Sequence, residues 1–261
     1  MKNLLLLIGI WWILGPAQAQ QIEYLSGERN RFGIVEGFWF PALTCDLGVG
    51  WERIIFDWSQ HQPTGPEDWH TLNVDDRWLK LAALCDRQVV AILKNTPAWA
   101  TDGSAGPGIP RGLDRSPDDP GNLWASFVYR TVSYYASRGV VHFILWNEPD
   151  IDPETYGHEF SGSLEDYFQL LKAGYLAAKR ANPAAVIHLA GTTYWHDINR
   201  GVQPYFERLM DRILVDNEAV AHNHYFDVLS LHIYFRTQTV LDIVREVRAM
   251  LDDHGLSHKA V

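Results

Sequence analysis

Short apolar runs alternate along this chain with longer segments in which apolar residues return every three or four positions. The first pattern suits strands buried on both faces, the second amphipathic helices. Strands are expected at 31–36, 50–58, 89–93, 186–190 and 226–233, and another from 140 to the corner Trp146-Asn147-Glu148-Pro149. Within 50–58 the alternation sets Arg53, Ile55 and Asp57 on one face. Helices are expected at 73–87 with Asn73 as cap, 122–138, 164–181 capped by Ser163, 204–215 and 240–251. Gly139 falls where the C-cap of 122–138 belongs. Residues 101–121 are dense in Gly, Pro, Asp and Ser without any period, which marks a long loop.

Strand and helix thus alternate about six times, the signature of parallel βαβ units. A doubly wound sheet and a (β/α)₈ barrel share that alternation. No Gly-x-Gly-x-x-Gly turn follows any strand, whereas polar and aromatic residues cluster after nearly every one. Barrel active sites are assembled at that end of the strands. The fold expected is therefore α/β, an incomplete TIM (β/α)₈ barrel with about six βα units, and the 101–121 loop is expected over its active face.

The chain has 261 residues, 47% of them hydrophobic, enough for one domain of barrel size. Its net charge of −10 leaves no basic stripe to meet nucleic acid. Lys2, the apolar stretch 4–14 and the small-x-small site Ala17-Gln18-Ala19 read as a signal peptide over 1–19. The mature domain is then 20–261, secreted or periplasmic, with no membrane segment after cleavage. In an exported protein Cys45 and Cys85 could pair. Cys85 also shares a helical stripe with Trp78, Leu81 and Ala82, so two buried thiols are the alternative.

Chemistry concentrates at the Asn147-Glu148-Pro149 corner. Pro149 lacks an amide donor and pushes Glu148 toward an extended backbone, so the strand ends there with a carboxylate at its rim. Such a rim can raise a glutamate's pKa, as a general acid near neutral pH requires. Trp-Asn-Glu-Pro after an apolar strand resembles the fourth-strand motif of the large clan of glycoside hydrolases with (β/α)₈ barrels and two catalytic glutamates. The resemblance implies an acid/base role for Glu148. For Asn147 it implies binding of the sugar hydroxyl next to the anomeric carbon.

Other stretches extend the resemblance. Gly50 to Trp58 is similar to the clan's second strand, where the arginine five positions before the tryptophan keeps the nucleophile ionised; that role would fall to Arg53. Asn95 to Ala100 resembles the third-strand exit of β-xylosidase- and endoglycanase-like members. His232-Ile233-Tyr234 resembles the sixth-strand His-x-Tyr, whose tyrosine contacts the nucleophile. Read from residues alone, Arg53 could pair with a neighbouring Asp and His232 could be a core histidine. Trp58, Trp99 and Trp195 are either sugar platforms or packing residues.

No metal or other cofactor is expected. Asp150-x-Asp152-x-Glu154 carries Thr155 where a calcium loop needs glycine, and His222 and His224 have no Asp or Cys at ligand spacing. No Gly-x-Ser-x-Gly elbow is present. A retaining glycosidase needs two carboxylates about 5–5.5 Å apart. The clan places the nucleophile at the end of strand seven, and Lys259-Ala260-Val261 reads as the start of that strand. The barrel domain is therefore expected to be C-terminally incomplete. Glu36 and Asp57 are conceivable substitutes that do not match the clan's arrangement. The expected function is a retaining O-glycoside hydrolase acting on oligo- or polysaccharide. The alternative is a non-catalytic carbohydrate-binding barrel, or an inactive fragment lacking the nucleophile.

Overall fold

The computed structural model describes residues 31–234 and 236–261, so the expected signal peptide lies outside the described residues. Five strands form one parallel sheet in chain order: β1 (Gly33–Val35), β2 (Trp51–Asp57), β3 (Gln88–Lys94), β4 (His142–Leu145) and β5 (Val186–Leu189). Between and after them run α1 (Pro41–Asp46), α2 (Trp58–His61), α3 (Asp76–Leu84), α4 (Leu123–Ala136), α5 (Leu164–Ala181), α6 (Trp195–Asn199), α7 (Tyr205–Leu214) and α8 (Val240–Asp253). Among the described residues no helix is long and apolar enough to cross a membrane.

The register separates the two faces of the sheet. Ile54, Ala91, Phe143 and Ile187 lie level across β2 to β5, as do Phe56, Leu93, Leu145 and Leu189. These residues join Trp124, Phe127 and Val128 of α4 and Phe168 and Leu171 of α5 in one buried core. The opposite face carries Arg53, Val90, His142 and Val186 on one level and Ile55, Ile92, Ile144 and His188 on the next. It borders a cavity of about 500 Å³ lined also by Trp51, Val228 and Tyr234. One face under helices and the other on a lumen is the barrel arrangement, not the doubly wound one.

The helices start and stop where their ends can be satisfied. Ser163 and Asp166 form a reciprocal capping box on α5, and Asn122 caps α4 through the Ala125 amide. Gly139, at φ 82°, donates to the Ala136 carbonyl and closes α4 as expected. The helix expected from Asn73 begins later. Asp75 is its cap, accepting from Arg77 N, because 72–74 form a 3₁₀ turn first. Cys45 and Cys85 are joined as a disulfide across 40 residues, which resolves the two readings of that pair.

The sixth strand is interrupted. Val228 and Leu231 make single parallel bridges to His188 and Thr192. Between them the Ala190 amide is taken by the Tyr167 hydroxyl at 2.8 Å, a donor the ladder would need. Ala260 bridges Val228 on the far side, in parallel, so 260 occupies the seventh position.

Candidate active site at the strand ends

The turn after β4 builds the site. Trp146 adopts a left-handed backbone (φ 79°), donates its amide to Leu93 O at 2.9 Å, and sends its indole into the helix-side core against Trp124. That reversal leaves Asn147 and Glu148 at the rim. Glu148 is itself left-handed (φ 42°), against the extended backbone expected before Pro149. Its amide donates to Gly191 O at 3.1 Å and its side chain is held by His232, so tertiary bonds override the local preference. Asn95 (φ 69°) and Tyr194 (φ 45°) are also left-handed, just beyond β3 and β5.

Glu148 Oε1 lies 2.6 Å from His232 Nδ1, and His232 Nε2 lies 3.1 Å from Arg53 Nη1. A guanidinium only donates, so Nε2 accepts and the imidazole proton sits on Nδ1, pointing at Glu148. Arg53, on the lumen face of β2, thereby fixes the tautomer that orients the carboxylate. Gly191 makes room for this: a Cβ there would come within 2.3 Å of the His232 ring. Tyr234 is exposed (54%) on the lumen, its ring 5.9 Å from that of His232.

Two residues that the sequence reading did not place at the site, Glu159 and Asp150, complete the rim. Glu159, in the polar loop after β4, accepts from Asn147 Nδ2 at 2.9 Å and from Lys94 Nζ. Asp150 is buried and accepts from the amide and hydroxyl of Thr193 at 2.7 and 2.6 Å. Desolvation pushes its carboxyl above the usual range despite those bonds, and its Oδ1 has no partner.

The aromatic expectations divide. Trp58 is fully buried between Trp99, Trp124 and Phe127, with Nε1 donating to Gln62 Oε1 at 2.7 Å. Because it opens α2, it turns to the helix side of the sheet, so it is a packing residue and not a sugar platform. Trp99 is half-buried and donates to Gln62 O at 2.6 Å. Trp195 is half-buried, with the Arg236 guanidinium 4.1 Å over its ring and an unpartnered Nε1. Asp57 is engaged structurally, capping α2 and accepting from Asn95 Nδ2 at 2.6 Å. Glu36 accepts from Trp39 Nε1 at 3.3 Å in an exposed turn.

The fold is α/β, with a parallel sheet forming part of a barrel of the type found in TIM-barrel glycoside hydrolases. No family model and no curated protein match the sequence. Solved structures do. A GH39 β-xylosidase from Caulobacter crescentus superposes with a TM-score of 0.61 at 15% identity, over 85% of this chain and 50% of that one. A glucosidase from Croceicoccus marinus gives 0.57 at 17%, over 84% and 46%. A GH30 xylanase C catalytic domain from Talaromyces cellulolyticus gives 0.51 at 18%, over 72% and 45%. This chain spans half or less of the length of each.

Proposed function

We propose that the protein is an exported, retaining O-glycoside hydrolase of oligo- or polysaccharides, with Glu148 as its acid/base. The observation that carries this reading is the relay Arg53–His232–Glu148, which holds one carboxylate at the barrel rim beside Asn147. Glu148 would protonate the departing glycosidic oxygen and, in the second step, take a proton from the attacking water. Asn147 would grip the sugar, and Trp99 and Trp195 would border it. Arg53 and Tyr234 would serve the nucleophile's side of the site. The Cys45–Cys85 disulfide supports export, since such bonds persist in oxidising compartments. The glycosidases sharing the fold support the substrate class.

The test is made on the product of the complete gene, with aryl glycosides of good and poor leaving groups. Glu148→Ala should lower hydrolysis of the poor leaving group by about 10²–10⁴-fold. Activated substrates, which need little protonation, should suffer far less. Equal loss on both would remove Glu148 from the acid/base role.

A further inference from the structure

Asn147 is buried, 9% exposed, and its carboxamide is held from one side only. Nδ2 donates to Glu159 Oε2 at 2.9 Å, while Oδ1 is buried without any partner. A carboxylate only accepts, so this bond decides which end of the amide faces Glu159 and which is turned away. The same Oε2 takes the Lys94 ammonium, from the end of β3, whose side chain is only 10% exposed. A largely buried ammonium needs a counter-charge, and Glu159 is its ion-pair partner here.

Glu159 is in turn fixed through its backbone. Trp146 Nε1 donates to the Glu159 carbonyl at 2.8 Å, and the Ser161 amide donates to Pro107 O in the 101–121 loop at 2.8 Å. Phe160, between them, is fully buried against Trp146. The Glu159 carboxylate therefore stands on a rigid base, unlike a solvated loop glutamate.

We propose that Lys94 and Glu159 are positioning residues. Together they lock the Asn147 carboxamide so that Oδ1 is presented as a desolvated acceptor for a sugar hydroxyl next to the reacting carbon. The proposal rests on the glycosidase reading for the identity of that ligand, and on geometry alone for the lock. It also assigns the 101–121 loop a task, bracing the segment that carries Glu159.

Glu159→Gln keeps the shape but supplies an amide that can donate to Oδ1, permitting the Asn147 side chain to turn over. On the product of the complete gene, kcat/KM for an aryl glycoside should fall roughly 10- to 100-fold, the usual scale for a misplaced binding group. For the matching 2-deoxy glycoside, which lacks the hydroxyl concerned, the fall should be within about twofold. Lys94→Met should give the same pattern. Equal losses on both substrates would overturn the proposal, since a general structural defect spares neither. A second readout needs no turnover: the Asn147 side-chain NH₂ signal in ¹⁵N-labelled protein, assigned by its loss in Asn147→Asp. It should exchange slowly in the parent protein and rapidly in Glu159→Gln; an unchanged signal would also overturn the lock. If that signal responds while the parent protein hydrolyses no glycoside, the lock stands and the glycosidase reading falls.

Discussion

On the helix-covered face of the sheet, Glu52 is fully buried and fully answered: Arg87 pairs with it at 3.1 Å, and the Phe38 amide donates to it at 2.8 Å. One residue along the same strand, on the lumen face, Arg53 reaches His232 with Nη1 while its buried Nε has no partner. The contrast repeats across the molecule. On the helix side, Trp58, Trp124, Trp146 and Tyr167 are buried with every polar tip bonded. Of ten buried side-chain polar atoms without a partner among the described residues, five belong to Arg53, Asn147, Asp150, Thr192 and Trp195. Native interiors avoid such orphans; the remaining five include Thr131 of α4 and Tyr205 of α7, so the helices carry some as well. The outer face packs the core, while Arg53, Asn147, Asp150, Thr192 and Trp195 on the lumen face and rim each keep a polar atom unpaired.

The sharpest way to break this contrast is to truncate one tryptophan from each region. Trp58→Ala should destabilise the protein by about 3–5 kcal/mol in urea denaturation, through a core cavity. Trp195→Ala should cost about 1 kcal/mol or less, as an edge-of-structure change, and should act on carbohydrate binding instead. Similar stability losses would erase the distinction between the faces.

Acid should expose the lumen face next. His142 and His188 meet there at 3.1 Å. Burial pushes His142 down to about 4; burial and the neighbouring His142 push His188 down to about 3. The unfolded chain protonates both near their ordinary 6.5. Between those values the unfolded state binds more protons, so this contribution to stability is intact above pH 6.5 and is lost as pH falls toward 3. The loss between pH 7 and 5 should be about 3 kcal/mol for the pair. His142→Gln/His188→Gln should flatten that part of the stability curve; an unchanged slope would show the pair is solvated when folded.

A third test addresses the rim. Gly191→Ala places a methyl against the His232 ring, and should cost about 1–3 kcal/mol by overpacking. It should also shift the His232 ring ¹⁵N signals as the bond to Glu148 is disturbed. Unmoved signals would mean that Gly191 is not what seats the histidine.

Much of this was legible in the sequence because it is written in short-range patterns. Apolar runs and helical spacing place β1 to β5 and α4, α5, α7 and α8 within a few residues of their observed limits, since burial of one face is decided residue by residue. The Asn147-Glu148-Pro149 corner stands out for the same reason, as an apolar strand stopping at a carboxylate. The tertiary structure alone decided which groups meet there. Glu159 and Lys94 are 65 positions apart and His232 and Glu148 84, and no local period couples such pairs. The left-handed turns at Trp146 and Glu148 run against local preference and persist because hydrogen bonds to Leu93 and Gly191 hold them. Trp58 shows the limit from the other side. Its sequence position matched a platform at the site, but the helix it opens rotates it into the core, and only packing around Phe127 and Trp124 could fix that direction.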